Sequence, residues 1–157
     1  MTESLLSIRD LRTVFHTDEG LVRAVDGVSF DVGRGETVCL VGESGSGKTV
    51  TGESITRLIR MPPGEIAGGE IVFDGRDLTT LSDGDLRDLR GDRIAHVFQN
   101  PQGALNPVYT VGWQIVEAIQ LHQDVKRAEA RSRGIDLLDR VGIPEATRRF
   151  DDYPHEF

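Results

Sequence analysis

The sequence predicts an α/β fold, in which antiparallel leader strands precede a strand–loop–helix unit and an all-helical segment follows. Three observations support this prediction. A glycine-rich stretch, Gly42–Thr49, lies between an apolar run and a run compatible with a helix. Two runs with partial apolar alternation precede that stretch. In the last third of the chain, apolar residues recur at helical spacing.

One leader strand is predicted at residues 5–15, where apolar side chains alternate with polar ones. A second is predicted at residues 21–32, in which Val22, Val25, Val28 and Phe30 are apolar. The turn-forming run 16–20 separates them. Within the second strand, Asp26-Gly27 is a candidate kink or bulge, because glycine accepts the backbone conformation that a bulge requires. The strand before the glycine-rich loop is therefore not the first strand of the fold.

The strand–loop–helix unit follows a turn at residues 33–35. The apolar run from Glu36 to Val41 is predicted to be a buried strand, and Cys39 within it a small buried side chain. A helix is predicted from Lys48 to Arg60. The run Met61-Pro-Pro-Gly64 then ends it, since proline removes a backbone donor and clashes inside a helix.

Between this unit and the helical segment the elements are short. Residues 69–74 predict a strand that ends in an Asp74-Gly75 turn. Ser82 or Asp83 is the predicted N-cap of a short helix. Residues 94–98 are apolar and favour a further strand.

The sequence pattern changes from strand-forming to helix-forming near residue 103. We therefore predict a β-rich core part over residues 1–102 and the start of a helical subdomain over 103–157. Apolar residues at helical spacing predict helices over 111–122 and 125–141. The run Gly142-Ile-Pro144 is typical of a helix end.

The glycine-rich stretch has the Walker A form, Gly-x4-Gly-Lys-Ser/Thr, in the strand–loop–helix context that the motif requires. Its glycines allow successive backbone N–H groups to face one concavity, which suits a polyphosphate. Lys48 is expected to reach the β- and γ-phosphates, and the Thr49 hydroxyl to bind Mg²⁺. The remaining predicted binding residues of the loop are Gly42, Ser44, Gly45, Ser46 and Gly47.

Composition excludes several classes of function. The net charge of −8 argues against nucleic acid as a partner, because phosphate backbones require a basic face. Cys39 is the only cysteine, so no internal disulfide forms. No apolar stretch approaches the ~20 residues that span a bilayer. The four histidines show no metal-ligand spacing.

Beyond the Walker A motif, several runs resemble the ATP-binding subunits of ABC transporters, and of the peptide-importer branch in particular. The resemblance covers nearly the whole chain. The runs that carry it are Arg23–Phe30, Gly35-Glu36, Val97–Pro101, Ala104–Pro107, Thr110–Gln114 and Tyr153–His155.

The resemblance implies roles for residues outside the loop. Phe15 occupies the region of the aromatic side chain that stacks on adenine, although an ordinary core position for Phe15 remains an alternative. Gln99 matches the glutamine that senses Mg²⁺ and the γ-phosphate, and we count it with Lys48 as catalytic. The helical segment is expected to face membrane-spanning permease subunits, with Trp113 either in that contact or in the core. A second ATP-binding subunit would complete the site.

Other motifs that the resemblance implies are not found in these residues: the signature sequence, Walker B, the catalytic glutamate and the switch histidine. Ile71–Asp74 has the outline of a Walker B, but it precedes Gln99 and enters an Asp-Gly turn, so we reject it. The core is therefore expected to be incomplete, and the chain alone to bind ATP and Mg²⁺ without efficient hydrolysis.

The resemblance thus predicts an ATP-binding subunit that drives peptide import at the cytoplasmic face of the cell membrane. Alternatives are a catalytically inactive nucleotide-binding module and an importer subunit with nickel or another small solute as cargo. A soluble P-loop kinase would need an arginine-rich lid, whereas the arginine-dense stretches here fall on predicted exposed helix faces.

Overall fold

The computed structural model describes residues 4–99 and 101–157. The chain divides into two compact units, Met1–Arg90 and Gly91–Phe157. The boundary that we predict after residue 102, between the β-rich core part and the helical subdomain, stays a prediction. Asn100, which belongs to one of the runs that carry the family resemblance, lies outside the described residues.

The first unit is built on an antiparallel sheet with the strand order β2-β1-β3-β4. The two leader strands are confirmed and are longer than predicted, because their pairing extends from Thr17–Gly20 at the turn to Ser4–Gly33 at the other end. The predicted strand at 69–74 is likewise part of a longer one. The strands are β1 (Ser4–Thr17), β2 (Gly20–Gly33), β3 (Gly64–Phe73) and β4 (Arg76–Asp77).

The predicted bulge lies at Gly27. Leu11 pairs with Val28 and Arg12 with Asp26, so Gly27 is the extra residue of β2. Its φ of +81° lies in the left-handed region, which explains why glycine occupies this position.

One face of the sheet packs against the helix that follows the glycine-rich loop, α1 (Lys48–Ile55). Thr13 of β1 is fully buried, and its Oγ1 lies 2.9 Å from Oγ of Ser54. Alternate residues of a strand share a face, so Phe15 points to the same side of the sheet as Thr13. The opposite face carries exposed ion pairs such as Arg12–Asp26, at 3.1 Å.

The end of α1 differs from the prediction. The helix ends at Ile55, five residues before Arg60, because Arg57 adopts a left-handed conformation with φ +48°. The predicted short helix is confirmed as α2 (Asp83–Leu89), and the Oγ of Ser82 accepts a hydrogen bond from the backbone N–H of Asp85.

The second unit is helical, as predicted. Its helices are α3 (Val111–His122), α4 (Arg127–Arg140) and α5 (Ala146–Arg149). Phe150 is the largest fully buried side chain and fills the space between α3 and α4. A Cβ atom on Gly112 or Gly134 would overlap its ring, so the two glycines admit the aromatic side chain.

Arg131 and Asp151 form an ion pair at the edge of the same packing. The Arg131 guanidinium lies 4.7 Å from the centre of the Phe150 ring and donates two hydrogen bonds to Asp151, at 2.8 and 2.7 Å. These hydrogen bonds from Arg131 hold the pKa of the Asp151 carboxyl below its usual value.

Two predicted strands do not form. Residues 36–41 and 94–98 contain no strand, and Val41 and Val97 are 90% and 87% exposed. Cys39, predicted to be buried, is exposed. The physical reason is that a strand is stabilised by its neighbours in a sheet, and no strand among residues 4–99 and 101–157 pairs with either segment.

Within the described part of the chain, no helix has both the length and the apolar character needed to cross a membrane.

Candidate functional site

The glycine-rich loop wraps closely around the start of α1. Gly45 and Gly47 have φ values of +81° and +87°, which only glycine adopts readily. At Gly47 the loop also passes against the backbone of β2, since a Cβ atom there would lie 2.2 Å from the carbonyl oxygen of Ala24. Gly45 has open space around it. The two positions therefore need glycine for different reasons.

Lys48 holds the loop together from inside. Its Nζ donates hydrogen bonds to the carbonyl oxygens of Gly42 and Glu43, at 2.8 and 2.6 Å, and contacts Oγ of Ser46 at 3.3 Å. The backbone N–H of Ser46 closes the turn on the Glu43 oxygen, at 3.2 Å. The ammonium group thus lies in the concavity of the loop, which is where a polyphosphate would need a cation.

The start of α1 provides backbone donors, which an anion-binding site also requires. The cap residue Gly47 has no side chain to accept hydrogen bonds from the first turn, and that turn contains no acidic residue. Its backbone donors and the positive end of the helix dipole are therefore available to an anion. Thr49 is exposed on this turn, whereas Thr51 is buried and donates to the Gly47 oxygen at 2.9 Å.

The loop residues fit a magnesium–nucleotide complex. Thr49 offers one hydroxyl ligand, and magnesium in such sites takes its other oxygens mainly from phosphate groups and water. No cluster of three metal-ligating side chains occurs among residues 4–99 and 101–157. The fit therefore depends on the phosphate cradle that Gly42–Lys48 form, and not on a preformed metal cage.

Phe15 lies on the side of the sheet that carries α1. It is half-buried, with its ring edge next to Gly64. Val22 is its direct partner across the hairpin, and the Val22 side chain is 50% exposed. Directly paired residues of a sheet share a face, so the two apolar side chains lie side by side. Sequence reasoning did not single out Val22, because its pairing with Phe15 depends on the register of the hairpin.

The glycine-rich loop and Phe15 both belong to the first unit. Gln99 belongs to the second unit, where it is exposed and precedes a 3₁₀ turn at Pro101–Ala104. Asp74, the rejected Walker B candidate, lies in a turn with φ +49° and pairs with Arg34.

Together, the loop, its internal lysine and the uncapped helix start define a P-loop nucleotide-binding protein. The comparisons with known proteins are more specific. The chain belongs to the ABC transporter family, whose model matches residues 25–157.

Curated relatives extend the likeness across almost the whole chain. It is 48% identical to the Probable peptide ABC transporter ATP-binding protein y4tR of Sinorhizobium fredii, over 97% of this chain and 45% of that protein. It is 45% identical to the oligopeptide transport ATP-binding protein OppD of Bacillus subtilis, over 98% of this chain and 43% of that protein. The chain thus spans less than half the length of these relatives.

A solved structure supports the fold. The ATP-binding cassette MJ0796, in a dimeric post-hydrolysis state bound to ADP and Pi, matches 97% of this chain with a TM-score of 0.83. The chain covers 62% of that structure, and the sequence identity is 24%. The predicted fold class is therefore confirmed as that of an ABC ATP-binding cassette, of which this chain forms a part.

Proposed function

We propose that this chain is the nucleotide-binding part of an ABC transporter subunit that couples ATP binding and hydrolysis to the import of peptides. The observation that carries the proposal is the Lys48 ammonium held inside a complete glycine-rich loop at the start of α1. The printed names of the two relatives, which concern peptide and oligopeptide transport, support the choice of cargo.

In the proposed complex, Lys48 exchanges its carbonyl partners for the β- and γ-phosphates of ATP. This exchange is favourable because a charge-assisted hydrogen bond to phosphate is stronger than one to a neutral carbonyl group. The backbone N–H groups of the loop, from Gly42 to Gly47, surround the phosphates. Thr49 holds Mg²⁺ through its hydroxyl group.

We place the adenine against Phe15 and Val22. An aromatic ring offers a flat face to a purine, and the exposed Val22 side chain extends the same apolar surface. Both residues lie on the side of the sheet that faces α1. Phe15 also packs against Gly64, so its core role and its proposed ligand role are compatible.

We assign to Gln99 the sensing of Mg²⁺ and the γ-phosphate, because a neutral amide can donate to or accept from a metal-bound water without changing the charge. Residues 1–157 alone are proposed to bind ATP without efficient hydrolysis. The apolar run 71–73, which has the outline of a Walker B, ends at Asp74, and Asp74 lies in a turn and pairs with Arg34. A second ATP-binding subunit would supply the rest of the site.

The second unit offers a surface for a membrane-spanning permease subunit. Tyr109 and Trp113 stack with ring centres 4.2 Å apart, and Tyr109 is 44% exposed. Val108 and Leu105, which are close to Tyr109 in the chain, are exposed as well. Aromatic residues on an exposed apolar patch are typical of a protein interface. We propose that this contact places the protein at the cytoplasmic face of the cell membrane.

The experiment that tests the proposed function is peptide uptake by cells that carry Lys48→Ala at the chromosomal locus. Lys126→Ala is the matched control, because Lys126 is the only other lysine and lies at the start of α4. We expect Lys48→Ala to abolish uptake of a labelled tripeptide and Lys126→Ala to preserve it. Normal peptide uptake with lost nickel uptake would reassign the cargo, and normal uptake of both would refute a transport role.

A further inference from the structure

The C-terminal end of α1 has an unusual arginine. The backbone N–H of Leu58 donates to the Glu53 oxygen at 2.9 Å, and that of Arg57 to the Ser54 oxygen at 3.1 Å. These two hydrogen bonds form a Schellman motif, in which the residue after the C-cap is left-handed and is usually glycine. Here that residue is Arg57, with φ +48°.

An arginine in this conformation is disfavoured by roughly tenfold or more relative to glycine, so something must compensate for it. The Arg57 side chain is mostly buried and donates to the carbonyl oxygen of Leu81 at 2.7 Å. It also lies 3.5 Å from the carboxylate of Asp83, at the start of α2. The left-handed arginine therefore ties the end of α1 to the chain ahead of α2.

Arg90, which follows the last residue of α2, also binds the C-terminal end of α1. Its Nε donates to the Thr56 oxygen at 2.8 Å and its Nη2 to the Arg57 oxygen at 2.9 Å. Its own backbone N–H is fixed on the Leu86 oxygen, at 3.0 Å. The guanidinium thus binds the carbonyl groups of the C-cap residue and of the residue after it, and places a positive charge at the negative end of the helix dipole.

We propose that Arg90 is a positioning residue for the phosphate site, acting through α1. The helix has eight residues, so its two ends are separated by only about 12 Å. Lys48 and Thr49 lie at one end, and the Arg90 guanidinium fixes the other. Without that clamp the last turn frays and the first turn loses its fixed position relative to the loop. This inference rests on the proposed binding of ATP.

The test compares nucleotides that differ in the phosphates that Lys48 would reach. The dissociation constants of MgATP and AMP are measured for the 157-residue chain and for Arg90→Gln, Arg90→Lys and Arg87→Gln. Arg87, an exposed residue in the last turn of α2, is the matched control. We expect Arg90→Gln to weaken MgATP binding about tenfold, a loss of ~1.4 kcal/mol, and to leave AMP affinity within twofold.

A lysine at position 90 keeps the charge but lacks the planar fork that reaches two carbonyl groups, so Arg90→Lys should fall between the wild type and Arg90→Gln. Arg87→Gln should not differ from the wild type. Equal losses for MgATP and AMP, or none for either, would overturn the proposal by leaving Arg90 a structural role only. If circular dichroism shows that Arg90→Gln is unfolded, the Arg90→Lys variant is used instead. An Arg90→Lys variant with the same ratio of MgATP to AMP dissociation constants as the wild type refutes the inference.

These outcomes are distinct from a failure of the proposed function. If the wild-type chain shows no saturable MgATP binding that depends on Lys48, the proposed ATP site is refuted, and the proposed role of Arg90 is refuted as well. If wild-type binding depends on Lys48 but the Arg90 variants match the wild type, only the positioning role is refuted.

Discussion

Alanine substitutions at Gly45 and Gly47 distinguish the cost of a positive φ from the cost of a steric clash. Gly45 and Gly47 both have positive φ, so alanine at either position incurs a conformational cost of about 1–2 kcal/mol. Only at Gly47 does the added Cβ meet another group, the Ala24 oxygen at 2.2 Å, well inside the 3.0 Å that real Cβ atoms keep. Because the obstacle is a backbone carbonyl of β2, the loop must move by roughly 1 Å.

Gly45→Ala should therefore weaken MgATP binding by roughly 5- to 30-fold, because the loop of the free variant relaxes and must regain the positive φ on binding. Gly47→Ala should weaken it by at least a further ~10-fold, because the displaced loop no longer directs its N–H groups at the phosphates. Titration with a fluorescent ATP analogue measures both, and thermal unfolding shows that the variants are folded. Equal affinities for the two variants would refute the argument that close contact with β2 fixes the loop.

Three further predictions concern the stability of the chain. Phe150→Ala should lower the free energy of unfolding by about 3–5 kcal/mol, measured by urea titration, since it empties the largest buried site of the second unit. Leu11→Ala should cost about 2–5 kcal/mol, whereas Leu40→Ala should change stability by less than ~0.5 kcal/mol, because Leu11 is fully buried and Leu40 is exposed. Arg131 lowers the pKa of Asp151 from 3.8, so the pair stabilises the folded state above pH 3.8 and loses that contribution as the pH falls through the lower folded value. The stability difference between wild type and Asp151→Asn, at most ~1 kcal/mol for so exposed a pair, should therefore shrink as the pH falls below 3.8, and a difference that stays constant through the acid range would contradict this.

Much of the fold was predictable because the signals are local. The α3 helix has the predicted bounds, since Thr110 provides an N-cap and apolar spacing continues to His122. The bulge at Gly27 and the cap at Ser82 follow from single residues whose backbone or side-chain chemistry permits little else. Of the candidate site, the loop was predictable for the same reason.

Other features depend on contacts that sequence patterns do not record. The runs 36–41 and 94–98 are apolar and favour strands, but strand formation needs a neighbour, and none of the described strands pairs with them. The early end of α1 depends on the left-handed conformation of Arg57, whose side chain donates to the Leu81 oxygen much later in the chain. The pairing of Phe15 with Val22 required the hairpin register.

Lys48 bonds to its own loop as well as to the proposed ligand. Its ammonium group donates to two carbonyl groups of the loop, so the backbone is curled around a cation. The same arrangement makes Lys48 the residue whose loss should affect both the loop and its ligand.

We propose above that the loop Gly42–Thr49 binds the phosphates of ATP, and a MgATP titration of the 157-residue chain tests this binding directly. We expect saturable, magnesium-dependent binding that Lys48→Ala weakens by at least ~10-fold, since a charged hydrogen bond to phosphate contributes about 1.5–3 kcal/mol. Lys126→Ala should leave the affinity unchanged. Equal affinities for wild type and Lys48→Ala would contradict the claim.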